Sequence, residues 1–251
     1  RWRSSMSISF YPKLPYSGSG SGLTFPYFSA FQNGETTLTA AIPNPTSTAA
    51  IQVTSTADFA SSGYIIIGEE IISYTTKTAT TFDGTITRGV FSTTKSSHAI
   101  GTPVSEAAAT TAGGSAAALI DTVVVSNEIT CTTPDSKIYF TKAGIYNIQF
   151  SAQLLNYTTS DDNVTIWFKK NGNNIDNSAS IEQVNPKHGT SPGAVILALN
   201  FVDSFAAGDY VELWWASDSG TTVLATFPPG TSPVHPASPS LILTVTFVSA
   251  V

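Results

Sequence analysis

Apolar and polar residues alternate most cleanly between positions 146 and 154. Tyr146, Ile148, Phe150, Ala152 and Leu154 are apolar, and Asn147, Gln149, Ser151 and Gln153 lie between them. Successive side chains of a strand point to opposite faces, so this pattern predicts a half-buried antiparallel strand. Val164, Ile166 and Phe168 repeat it before an Asn171-Gly172 turn, and Val211, Leu213 and Trp215 repeat it after Gly208-Asp209. Two segments differ. Ala194 to Val202, Asn200 apart, and Leu241 to Val248 are apolar or threonine at both parities. One face of each can fill a sandwich core. The other needs a cover, and a partner subunit is the simplest one.

Nearer the start, the runs Gly63–Ile67 and Glu70–Tyr74 flank Gly68-Glu69, a hairpin signal, and Asp83-Gly84 marks a second turn. No segment outside the small-residue stretch 106–118 carries a helical period. The fold class is therefore predicted as all-β, with a two-sheet sandwich in the second half.

Changes of composition divide the chain into four. Residues 1–36 read as an extended arm, with Tyr11 and Tyr16 before a Ser-Gly run at 17–22 and Phe25, Tyr27 and Phe28 after it. These aromatic clusters either pack on the chain's own body or dock on a neighbouring subunit. Residues 37–105 read as a small β module. Residues 106–118, rich in Ala, Thr, Gly and Ser, read as a linker with room for one helical turn. Residues 119–251 read as the sandwich. Arg1 to Ser5 precede Met6, so a longer precursor is cut or the start lies at Met6; no stretch reads as a secretory signal.

Composition then narrows the function. Of 251 residues, 67 are Ser or Thr and only 11% are charged, against about 25% in ordinary soluble domains. Buried hydroxyls are cheaper than buried charges, which favours a protein that contacts neighbours closely. A net charge of −6 argues against nucleic-acid binding, which needs a basic footprint. No apolar window is long enough to span a membrane, and one cysteine, Cys131, excludes a disulfide scaffold.

Candidate chemistry is sparse. His98, His188 and His235 have no metal-ligand spacing, and no Gly-x-Ser-x-Gly elbow occurs. The expectation is a protein that is not an enzyme, without catalytic residues, cofactor or metal. Asp161-Asp162 reads as a solvated turn, or as the start of a calcium loop. An inward-pointing Glu70 has Arg88 as its natural partner, and His98 reads as a structural hydrogen-bonding residue. Adjacent Trp214 and Trp215 must face opposite ways, one into the core and the other, Trp214, exposed or covered by a neighbour. The proline-rich loop 227–239 reads as a rigid surface, either for recognition or for packing between protomers.

Residues 140–148, Phe-Thr-Lys-Ala-Gly-Ile-Tyr-Asn-Ile, then Lys170-Asn171-Gly172, then Gly208-Asp209-Tyr210-Val211 within 202–213, resemble in order the globular head of complement C1q and its tumour necrosis factor-like relatives. The likeness covers about half the chain. Ile148 stands where the family has an aromatic residue, and the family's closing pattern is missing from 241–251. The resemblance implies a jelly roll that forms a homotrimer, with Ile196, Ala198, Ile242, Thr244, Thr246 and Val248 as the expected trimer contact.

The Gly63–Tyr74 hairpin, with Phe82-x-Gly84, Thr87-Arg88-Gly89 and His98-x-x-Gly101-Thr102-x-Val104, resembles a β module common in structural proteins of tailed bacteriophages. Together the two likenesses imply a phage virion surface protein, a capsid decoration or appendage. Tyr11, Tyr16, Phe25, Tyr27 and Phe28 would anchor it to other virion proteins such as the major capsid or tail proteins. The alternative is a receptor-binding tail fibre or tip that grips a host surface glycan or protein through Pro228, Pro229, His235, Pro236 and Trp214.

Overall fold

A computed structural model describes residues 25–133 and 135–251. The regular secondary structure of the described residues is almost entirely strand, and its one helical segment is the single 3-10 turn Val90–Ser92. Two sheets pack face to face. One carries, in spatial order, Thr122–Asn127, Tyr27–Gln32, Leu241–Ser249, Gly144–Asn156 and Gly193–Phe205. The other carries Ile129–Thr130, Ile138–Phe140, Tyr210–Ser217, Asp162–Lys170 and Ser180–Val184. The chain passes back and forth between the sheets, as in a jelly roll. The alternation read from the sequence points Tyr146, Ile148, Phe150, Ala152 and Leu154 inward. There they meet Val164, Ile166, Phe168, Val211, Leu213 and Trp215 of the facing sheet. Asn171 and Gly172 both take positive φ, which a tight hairpin turn requires.

The N-terminal module has its own core, built from Leu38, Ile51, Val53, Phe59, Ile65, Ile67, Ile72, Tyr74, Phe82 and Val104. Its hairpin Gly63–Ile67/Glu70–Tyr74 turns at Gly68, at φ 62°. The module is continuous with the sandwich. Pro103–Ala109 pairs with Gly63–Ile67 on one side, and with Glu35–Thr37 and then Thr222–Ala225 on the other. Thr222–Ala225 in turn pairs with the end of Gly144–Asn156. A third apolar cluster, with Ile66, Ile71, Ala107, Leu155, Tyr157 and Val223, closes this seam.

Two of the four expected divisions of the chain are corrected. The stretch 106–118 holds no helical turn and is no loose linker: it supplies most of the seam strand and the Ser115–Ala117 strand beside Trp214 and Trp215. Alanine lets it pass between crowded neighbours, and a strand covered on both faces needs no alternation. The arm reading also fails from Tyr27 onward. Tyr27–Gln32 is an interior strand between Leu241–Ser249 and Thr122–Asn127, with Phe28 only 2% exposed. Phe25 and Tyr27 are exposed, and Phe25 packs near Phe247 with ring centroids 6.0 Å apart. The expected anchors Tyr11 and Tyr16 lie outside the described residues.

Asp162 was expected in a solvated turn and is instead buried. Its carboxylate accepts hydrogen bonds from Ser217 Oγ (2.5 Å), Ser219 N (2.9 Å) and Thr222 N (3.2 Å), and so ties the 217–222 turn to the neighbouring strand. Burial alone would raise its pKa. The bonds from Ser217, Thr222 and Ser219 outweigh that and hold it below the ordinary carboxylate value. Asp162→Ala removes a charged acceptor and strands three donors, so a loss of about 2–3 kcal/mol is expected. Urea unfolding checks this, and the loss shrinks as pH falls through the folded-state pKa.

Candidate functional site: an uncharged sheet face

The outward face of the Gly193–Phe205 sheet is the largest feature not explained by the core. Register places its residues in rows across the strands. One row is Asn200, Gln149, Thr244 and Ser29. The next is Ala198, Ser151, Ile242 and Phe31, and the row on the other side is Val202, Asn147, Thr246 and Tyr27. None of these residues is charged. All six expected contact residues lie on this face. Ile196 is 64% exposed, Val248 56% and Ile242 36%, while Ala198 and Thr246 are exposed and Thr244 is half-buried. A long exposed face with isoleucine and valine and without charge is unusual for a free surface, where lysine and glutamate normally discourage contact.

The opposite side of the sandwich has a different character. On the outward face of the Asp162–Lys170/Tyr210–Ser217 sheet, Trp167 and Trp214 are cross-strand partners with ring centroids 6.4 Å apart. Lys169 Nζ lies 3.4 Å over the Trp214 ring. Trp215 points into the core, 1% exposed.

The expected recognition surface does not assemble as one site. The proline-rich loop is anchored by the Phe227–Ser238 bridge and by Gln153 Nε2, which donates to Ser238 Oγ (2.6 Å) and Pro239 O (2.8 Å). Pro228 and Pro229 turn towards the module and line a groove of about 330 Å³ with Glu35, Thr37, Thr54 and Ser105. His235 and Pro236 are exposed at the tip. Trp214 belongs to the other sheet. Sequence spacing cannot reveal such a separation, because it depends on which sheet each segment joins.

Two buried ionic groups hold the module. Glu70 accepts from Arg88 Nε (2.7 Å) and Nη2 (2.6 Å), from Gly89 N (3.1 Å) and Ser96 N (3.0 Å), and bonds His98 Nε2 (2.8 Å). Arg88 also donates to Ser96 O (2.5 Å) and, at 3.4–3.5 Å, to Ser47 O and Asn44 O. Burial pushes the Glu70 carboxyl up, but Arg88, His98 and Ser96 outweigh it and hold the pKa below the usual value. Every lone pair is used, which marks this knot as structural.

The second group was not foreseen. Glu106, on the seam strand, meets Asp121 and Gln32 in the interior. Asn33 N donates to Asp121 Oδ2 (2.7 Å), yet Asp121 Oδ1, Glu106 Oε2 and Gln32 Oε1 have no donor. Gly34 is required alongside, because a Cβ there would lie 2.9 Å from Asp58 O and 3.1 Å from Glu106 Oε2. Burial, and after it the Asp121 charge, push the Glu106 pKa up to about 8.

No protein-family model matches this chain, and no curated protein matches it.

Proposed function

We propose that this chain is a structural surface protein of a tailed-phage virion, and that it assembles as a homotrimer through the uncharged face described above. The observation that carries the assembly is that face, on which five strands present isoleucine, valine, alanine, serine, threonine, asparagine and glutamine. Copies can meet there without desolvating a charge, which would cost several kcal/mol per ion. Five strands and about eight residues of length give on the order of 600 Å² in projection, near the ~800 Å² per partner of a stable interface. The virion placement is supported by the phage-like motif residues. Glu70, Arg88 and His98 of that motif form the buried knot that shapes the module. The jelly-roll strand order supports the likeness to C1q-type heads. With Phe28 in the core, attachment to capsid or tail proteins is assigned to the module and to residues before Phe25.

Light scattering tests the assembly. Three copies of the 26.3 kDa chain give about 79 kDa, and this mass is the expected result. Ile196→Lys with Thr246→Lys puts two cations into the face and should yield a folded monomer with an unchanged circular dichroism spectrum. A monomeric parent protein at high concentration would overturn the reading.

A second reading, receptor binding, is favoured by the paired Trp167 and Trp214. They lie on the side of the sandwich that such a trimer would leave facing outward.

A further inference from the structure

The face opposite the uncharged one carries a line of aromatic rings crossed by lysines. Trp167 and Trp214 form one cross-strand pair, and Tyr139 and Tyr210 form another, with ring centroids 5.3 Å apart. Trp214 and Tyr210 lie on one strand four residues apart, so about 13 Å separates the two pairs. Lys169 Nζ sits 3.4 Å over Trp214, and Lys137 Nζ sits 5.0 Å from the Tyr210 ring centre. The carboxylate between the pairs is Glu212, buried and engaged by Ser136 Oγ at 2.7 Å. In a chain of net charge −6, this strip offers two cations, and the carboxylate between its two aromatic pairs is buried. Trp214 Nε1 has no acceptor, while Trp167 Nε1 donates to Asn174 Oδ1 at 2.9 Å.

We propose that this strip binds an acidic oligosaccharide, a chain of sugars bearing carboxylates such as uronic acids. Aromatic ring faces suit the apolar C–H faces of pyranoses, since each offers a flat apolar surface beside polar edges. Asn174, exposed beside Trp167, can serve sugar hydroxyls. Lys169 and Lys137, now resting on rings, would swing a short way to meet carboxylates and so uncover the stacking surfaces. Two lysines are too few for a nucleic-acid backbone, whose affinity comes from neutralising many phosphates. The spacing of the two aromatic pairs asks for an oligosaccharide rather than a single sugar.

The inference deepens the receptor-binding reading by naming the ligand class, and it does not depend on the trimer. The full chain is titrated with a hexamer of galacturonic acid, and tryptophan fluorescence and calorimetry are followed. Maltohexaose serves as the neutral control, and a single-stranded oligonucleotide as the polyphosphate control. The expected result is saturable quenching by the galacturonate hexamer, weakened by added salt and at least tenfold tighter than for either control. Lys169→Gln and Trp167→Ala should each weaken it about tenfold or more, with melting temperature and oligomeric mass unchanged. No saturable signal up to about 5 mM, a range that covers the weakest specific sites, would overturn the inference. So would equal binding of maltohexaose, preference for the oligonucleotide, or binding that survives both substitutions. Adsorption to bacterial cells without galacturonate binding would overturn the sugar and leave receptor binding standing.

Discussion

Replacing Arg88 by Met is expected to destabilise the protein by about 3–5 kcal/mol, because it leaves the Glu70 carboxylate buried without its countercharge. Glu70 would keep the amides of Gly89 and Ser96 and the His98 ring, while Ser47 and Ser96 would lose a donor. For a chain of this size each kcal/mol moves the melting temperature by about 2–4 °C, so a fall of roughly 6–20 °C is expected by calorimetry. Glu70→Leu combined with Arg88→Met removes both charges, and should recover most of the loss. The non-additivity of that cycle is the diagnostic quantity. A single Arg88→Met variant within 1 kcal/mol of the parent would show that the knot does not hold the module. Its pH dependence has a defined sign. The Glu70 pKa is lowered in the folded state, so its contribution is present above the unfolded value of 4.5 and is lost as pH falls through the folded one.

This knot was largely legible in the sequence, and the reason is local. Glu70 follows a hairpin turn and Arg88 follows a second turn, so both fall on neighbouring strands of one small unit, Ile72 opposite Arg88. The alternating strands of the sandwich were legible for the same reason: a period of two is a property of a short window. What could not be read depends on partners far away in the chain. Nothing in Tyr27–Gln32 announces that it lies between Leu241–Ser249 and Thr122–Asn127. Its aromatic residues look like those of an arm, because a strand with bulky side chains on both faces loses its alternation. The alanines of 107–109 hide a seam strand in the same way, since small side chains give no pattern. The six face residues were found because their strands are apolar at both parities. Trp214 was recognised as the outward member of its pair, but its neighbours Trp167 and Lys169 come from a strand some fifty residues earlier, and only the register supplies them.

The Glu106–Asp121 pair also escaped the sequence, and it carries the second large effect. Glu106→Gln is expected to have little effect near pH 5 and to stabilise the protein by an amount that grows as pH rises to about 8. In the folded state the two carboxyls face each other in the interior with Gln32, and they need a proton between them. The charged groups around them are Asp58 and Lys77, with the Tyr74 hydroxyl nearby. Lys77 is engaged by the carbonyls of Thr56 and Phe59, so it is not free to neutralise the pair. The folded-state pKa of Glu106, about 8, lies above the unfolded 4.5. Between those values the folded protein holds more protons than the unfolded chain, so stability falls as pH rises through the window. The slope is at most about 1.4 kcal/mol per pH unit, and the total is on the order of a few kcal/mol. Glutamine keeps the shape and offers Asp121 Oδ1 a permanent N–H, supplying at every pH what the shared proton supplies only below about 8. Urea unfolding at pH 5, 7 and 9 checks it: the parent should lose stability steadily, and Glu106→Gln should show a much flatter profile. Parallel profiles for the two proteins would mean that the pair does not share a proton. The consequence reaches beyond the pair, because Glu106 sits on the strand that joins the module to the sandwich. Alkaline conditions should therefore loosen that junction first. Amide exchange at Gly34 and Ala107 should accelerate with pH beyond its intrinsic rise before the sandwich core around Phe150 is affected.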